Sequence, residues 1–210
     1  MIPTSSSCEE QIASLPCGIV EFSNTINWEA EFDDTCDDDT EFYRVYFSAL
    51  GDAGDYTLLD EVRTTSYRHD NLTSLAGCYR ISAVDRSGNE SSLSAAICND
   101  NCPQYGLPNV FTPNGDGDND TFRPFKDQDN QCPRFVEAVE LRVHNRSGLE
   151  VFTFDSNNAE SSIFIDWDGT NNEGAELQEG VYFYEAVVSY EALEPELAIE
   201  TITGCVQLIG

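Results

Sequence analysis

Apolar and polar residues alternate with a period of two along most of the chain. In the run 43–47, Tyr43, Val45 and Phe47 share one face. The run 79–84 alternates as well, and 139–144 places Val139, Leu141 and Val143 on one face with Glu140, Arg142 and His144 on the other. Ile163, Ile165 and Trp167 share a face of another run; 181–190 is long and aromatic-rich, and 206–209 lies at the C-terminus. A period of two predicts strands, because successive side chains of extended backbone point to opposite faces. Clusters of Gly, Asn, Asp and Ser at 51–54, 87–89, 114–117, 168–174 and 179–180 separate these runs. Such residues accept positive φ and close Asx turns, so they end strands. No stretch sustains a 3.6-residue period; residues 9–13 suit a short helical turn at most. The pattern predicts an all-β chain.

Composition adds a domain count. The chain has 210 residues, 40% hydrophobic and 11% aromatic. That is enough apolar material for packed cores, and the length suits two domains of roughly 100 residues. The polar, proline-containing segment Asn99-Asp100-Asn101-Cys102-Pro103 sets the expected boundary, giving domains at 1–100 and 101–210. Two tandem all-β domains are the expected architecture.

Charge and cysteine then narrow the class. Lys and Arg number 10 against 39 Asp and Glu, so the net charge is 10 − 39 = −29. Nucleic-acid binding needs a basic stripe to displace phosphate counterions, so it is not expected, and an anionic lipid surface is disfavoured likewise. No apolar run is long enough to span a bilayer as a helix. The first residues have neither a basic n-region nor an apolar h-region. The eight cysteines are at 8, 17, 36, 78, 98, 102, 132 and 205. An even count without paired C-x-x-C motifs favours disulfides over zinc, and so an oxidising compartment. The chain therefore reads as the C-terminal piece of a larger secreted protein, monomeric as a fragment.

Catalytic patterns are missing from the sequence. His69 and His144 are the only histidines, one in each expected domain. No Gly-x-Ser-x-Gly, Walker loop or His-Glu-x-x-His occurs. No enzyme activity is expected.

Two acidic loops admit two readings each. In Asn114-Gly115-Asp116-Gly117-Asp118-Asn119-Asp120, the i, i+2, i+4 spacing can converge several oxygens on a hard cation, with Asn114, Asp116, Asp118 and Asp120 as side-chain ligands for calcium. The same residues can instead bond their own backbone in Asx turns. The run 33–39, which holds Cys36, reads either as a calcium loop or as a solvated charge run. Calcium is the one cofactor the sequence suggests.

Residues 20–98 resemble a fibronectin type III domain. The resemblance rests on Trp28, on the strand 43–47, and on Cys78-Tyr79-Arg80-Ile81-Ser82-Ala83-Val84-Asp85-Arg86-Ser87-Gly88-Asn89-Glu90-Ser91. It implies that Tyr79 is the corner tyrosine, with its hydroxyl bonded to backbone. Neither Leu72 nor Leu75 sits at the usual offset for the corner leucine. Cys78 and Cys98 fall on the two last, neighbouring strands, so a bridge between them is expected. Cys17 with Cys36 is the second expected pair.

Residues 103–210 resemble the gliding-associated C-terminal domain of Bacteroidetes, the type B sorting domain of the type IX secretion system. The carrying residues are Phe111, Thr112, Pro113, Asn114, Gly115, Asp116, Gly117, Asn119 and Asp120, followed by Asn145, Arg146 and Gly148. The blocks Trp167-Asp168-Gly169, Gly180-Val181-Tyr182-Phe183-Tyr184 and 204–210 continue the likeness in order. Ser147 stands where the family usually has Trp. Together the two resemblances imply two tandem β-sandwich domains, the first fibronectin III-like and the second Ig-like, and this one implies export through the periplasm to the cell surface. It also implies recognition by the type IX translocon and an outer-membrane β-barrel partner of the gliding apparatus, with an adhesin as the upstream cargo. Tyr182, Tyr184 and Tyr190 either present an aromatic surface for that recognition or line the core. The alternative is a ligand- or glycan-binding β-sandwich using Tyr56 and Tyr67, or a passive stalk.

Overall fold

The structure is a computed structural model that describes residues 17–18, 21–29, 39–126, 131–157 and 163–210. Residues 9–13, 33–38 and Cys36 lie outside the described residues. The chain divides into two compact units, one ending at Asn101 and the other running from Cys102 to Gly210 and including Cys17. Every regular element among the described residues is a β-strand, so the chain is all-β.

The first unit holds β1 (Phe22–Asn27), β2 (Thr40–Ser48), β3 (Thr57–Val62), β4 (Ser66–Leu72), β5 (Gly77–Asp85) and β6 (Ile97–Asn99). β1 pairs with β4 in one sheet, and the other has the order β3-β2-β5-β6. Alternation explains the packing: Ile26 and the adjoining Trp28 from the first sheet meet Tyr43, Val45, Tyr79, Ile81 and Ile97 from the second. The ring of Trp28 meets that of Tyr43 edge-to-face at 5.5 Å. Two sheets closed over one apolar layer make a β-sandwich.

Tyr79 is fully buried, but its hydroxyl does not bond backbone as expected. It accepts from Asn24 Nδ2 at 3.1 Å and lies 2.9 Å from His69 Nδ1. Asn24 reaches the backbone in its place, donating to the Leu75 carbonyl at 2.9 Å. The segment read as a polar boundary is also partly interior. Asn101 is buried, and its Oδ1 accepts the Leu75 amide at 2.8 Å.

The second unit holds β7 (Val110–Phe111), β8 (Val136–His144), β9 (Glu150–Asp155), β10 (Gly180–Tyr190) and β11 (Ile199–Leu208). They form one sheet in the order β7-β11-β10-β8-β9, antiparallel except for the parallel pair β7·β11. The layer facing this sheet is made largely of extended segments. Ile165 and Trp167 alternate inward as expected, yet their run is not a strand: it is tied to Phe122 by a single bridge. Trp167 is the hub of the core. Its ring stacks on Phe152 at 5.5 Å and packs against Phe111, Phe122 and Tyr182, while its Nε1 donates to the Thr170 carbonyl at 2.7 Å.

Cys78 and Cys98 are bonded, directly opposite each other on β5 and β6. The expected Cys17–Cys36 pair is corrected: Cys17 is bonded to Cys132 across 115 residues of sequence. A disulfide follows spatial proximity after folding, and Cys17 belongs with the second unit. In the chain-entropy account, closing a loop of that length stabilises by about 5 kcal/mol. Cys102 is disulfide-bonded as well, and Cys205 is a free, exposed thiol.

Candidate functional site

The conspicuous sequence blocks of the second unit converge at one end of its sheet. Pro113, Gly115 and Asp120 of the first loop, Asp168 and Gly169 of the tryptophan turn, and Leu208 and Gly210 of the last strand line a groove of 550 Å³. A second groove of 530 Å³ is lined by Asn145, Arg146, Val151, Gly180 and Tyr182. The two share Glu176, Leu177 and Glu179. Residues 176–178 carry no recognisable pattern and no strand period, so sequence reasoning missed them, and Glu179 was read only as part of a turn.

Each block is held by its own side chains. In the first loop the Asp120 carboxylate accepts the amides of Gly115 at 2.7 Å and Gly117 at 2.8 Å. Asn114 Oδ1 accepts the Asp116 amide and Asp116 Oδ1 the Asp118 amide. The Thr112 amide donates to the Asn119 carbonyl at 2.8 Å, which closes the loop. Gly115 and Gly117 stand at φ of +77° and +93°, where a Cβ is strained. Asn114, Asp116 and Asp120 therefore spend carboxylate and amide oxygens on backbone turns. Among the described residues no three His, Cys, Asp or Glu side chains gather into a group that could hold a metal.

Asn145 does the same work in the hairpin between β8 and β9. Its Oδ1 accepts the amides of Ser147 and Leu149, both at 3.0 Å, and Gly148 takes φ +81°. In the tryptophan turn, Asp168 Oδ1 accepts the Thr170 hydroxyl at 2.7 Å and the Thr170 amide at 3.0 Å. These bonds, the hydroxyl first, hold its carboxyl below the usual range. Arg146 has no such duty. It is exposed at the rim of the second groove and makes no ion pair within 4 Å among the described residues.

Tyr182, Tyr184 and Tyr190 are all buried on the inner face of β10 and line the core, and Tyr182 also borders the second groove. The exposed aromatic of that strand is Phe183, on the opposite face. Tyr56 and Tyr67 share no platform. The Arg80 guanidinium sits 5.2 Å above the Tyr56 ring, whereas Tyr67, on β4, packs against the core. Phe111 is buried, Thr112 and Pro113 are half-buried, and Gly115, Asp116 and Gly117 are exposed.

On the outer face of β2 and β5 a polar cluster is centred on Glu90. It accepts hydroxyls from Ser82 at 2.6 Å and Tyr46 at 2.7 Å, and pairs with Arg44. The Ser82 hydroxyl foremost, then Tyr46 and Arg44, draw its carboxyl down to about 2. All partners in this cluster are satisfied, so it reads as a structural fastening of the sheet.

Residues 105–207 match the CHU_C type IX secretion signal domain. No curated protein matches the chain. Among solved structures, the fibronectin domains 1–3 of chicken CNTN1 are 13% identical with a TM-score of 0.30, covering 88% of this chain and 62% of that one. The dimeric latent PorU of Porphyromonas gingivalis is 16% identical with a TM-score of 0.30, covering 90% of this chain and 18% of its own. The chain thus spans less than two thirds of either. A secretion signal domain of this kind implies export, to a secreted or cell-surface destination. Residues 105–207, nearly all of the second unit, thus match a type IX secretion signal domain, the sorting module of exported proteins.

Proposed function

We propose that the second unit is the address read by the type IX translocon and an outer-membrane β-barrel partner, and that the protein delivered is a surface adhesin of gliding cells. The observation that supports this reading is the convergence of the signature blocks on two adjoining grooves at one end of the sheet. Residues scattered over about a hundred positions are brought together there, and most of them shape backbone turns. Arg146 is the exception: a cation in a chain of −29, with its guanidinium free to meet an acceptor on a partner. The first unit acts as a spacer that sets this end apart from the cargo. It performs no catalysis.

The test fuses a signal peptide and a fluorescent reporter to the 210-residue chain, in a type IX-competent bacterium and in a secretion mutant. Reporter outside the first and trapped in the second supports the reading; reporter trapped in both overturns it. Arg146→Ala is expected to cut export at least tenfold while leaving the melting temperature of the purified chain unchanged.

A further inference from the structure

The two edges of the five-stranded sheet are finished differently. On β9, the Thr153 amide donates to Asn172 Oδ1 and Asn172 Nδ2 donates to Thr153 Oγ1, both at 3.0 Å. That side chain occupies the place an added strand would need. On the other edge, β7 pairs only with Gln207 and Leu208 of β11. The amides of Gln207 and Ile209 donate outward, to Asn109 at 2.9 Å and Phe111 at 3.2 Å. The two-residue period of a strand then turns the N–H and C=O of Thr201, Thr203 and Cys205 the same way. The Ala198 carbonyl agrees with this phase, since it faces β10 and accepts the Tyr190 amide. Among the described residues nothing pairs with the outward groups of 201, 203 and 205.

Edges of natural sheets are commonly protected by lysine, proline or an inward charge. The stretch Ile199-Glu200-Thr201-Ile202-Thr203-Gly204-Cys205 has no lysine and no proline. Its one charged side chain, Glu200, is occupied in accepting the Tyr190 hydroxyl at 2.7 Å. Beside the open backbone groups stand Thr201, Thr203 and Cys205, all exposed and none of them acidic in a chain of −29.

We propose that the β11 edge at residues 201–205 takes up an extended strand from a partner protein, adding a strand to the sheet next to β7. A row of unpaired N–H and C=O groups is complementary to another extended backbone. A second copy of this chain is a poor occupant, because two molecules of −29 repel. The added strand is neutral or basic. It carries apolar side chains where it continues the core beside Ile202 and Val206, and polar ones beside Thr201 and Thr203. This pairing stands apart from the identity of the export machinery, so failure of the export test leaves it untouched.

The test is amide hydrogen exchange by NMR on the 210-residue chain, with the peptide Lys-Val-Thr-Val-Thr-Val-Lys as probe. Saturable slowing of exchange at Thr201, Thr203 and Cys205 by at least tenfold is expected. The same peptide with all interior amides N-methylated should have no effect. Thr203→Pro should abolish the slowing at Thr201 and Cys205; the amide of Thr203 is not used by β10, so the substitution suits an edge. Unchanged exchange with the plain peptide at millimolar concentration overturns the proposal, as does equal slowing by the methylated one. Should Thr203→Pro not fold, the pair of peptides decides alone.

Discussion

The ring of Tyr184 lies across Gly204 on the neighbouring strand. A Cβ at position 204 would stand 2.6 Å from the Tyr184 hydroxyl oxygen and 2.7 Å from its Cζ. Glycine is required there by a buried aromatic and not by backbone strain, and the pair locks β10 to β11. Gly204→Ala is expected to destabilise the chain by about 1–3 kcal/mol, the usual cost of forcing extra volume into a packed core. Urea unfolding measures it, and an unchanged midpoint would show that the ring moves aside freely.

The Tyr79–His69 contact makes stability pH-dependent. Asn24 donates to the Tyr79 oxygen, so the phenolic hydrogen goes to His69 Nδ1, and that requires a neutral imidazole. Burial, the larger influence, lowers the His69 pKa from its ordinary 6.5 despite the nearby Asp70. A lowered folded pKa means the unfolded chain binds the proton more readily. Stability is therefore full above pH 6.5 and declines as the pH falls below it. Melting temperatures between pH 8 and 5 should show this decline, and His69→Gln should flatten it. Tyr79→Phe, which leaves Nδ1 unpaired, is expected to cost about 1–3 kcal/mol at neutral pH.

Glu90 acts at lower pH. Its carboxyl, ordinarily near 4.5, is drawn to about 2 by the Ser82 and Tyr46 hydroxyls and by Arg44. Its contribution is present above pH 4.5 and is lost as the pH falls toward 2. Glu90→Gln should be less stable than the parent at pH 7, with the difference shrinking steadily between pH 5 and 2 in denaturant titrations. A difference independent of pH would rule out the carboxylate as its source.

The first loop of the second unit is braced by Asp120. Asp120→Ala frees the amides of Gly115 and Gly117 and is expected to cost about 1–2 kcal/mol. Because the Asp116 and Asp120 carboxylates accept backbone amides, millimolar calcium is expected to leave the melting temperature within about 1 °C. A rise of several degrees, absent in the Asp120→Ala chain, would show that the loop opens to make a cation site.

Much of this protein was legible before any coordinates. Alternation is a local property, so the runs 43–47, 79–84, 139–144 and 181–190 were readable as strands, and all four lie within strands. The turn residues Asn114, Asn145 and Gly148 were readable too, because their demands on the backbone are met within a few positions. The ordered blocks of the second half pointed to the sorting domain by themselves. Tertiary structure decided what depends on distance in space. Cys17 found Cys132 and not the nearer Cys36, since bonding follows proximity after folding. The carboxylates of Asp116 and Asp120 turned to backbone amides, a choice that spacing leaves open between a cation and the chain itself. Tyr182, Tyr184 and Tyr190 went inward because period two names two faces but not which one meets the core. The open edge of β11 was decided the same way: a sequence shows that a strand exists, and only its neighbours show which side is unpaired.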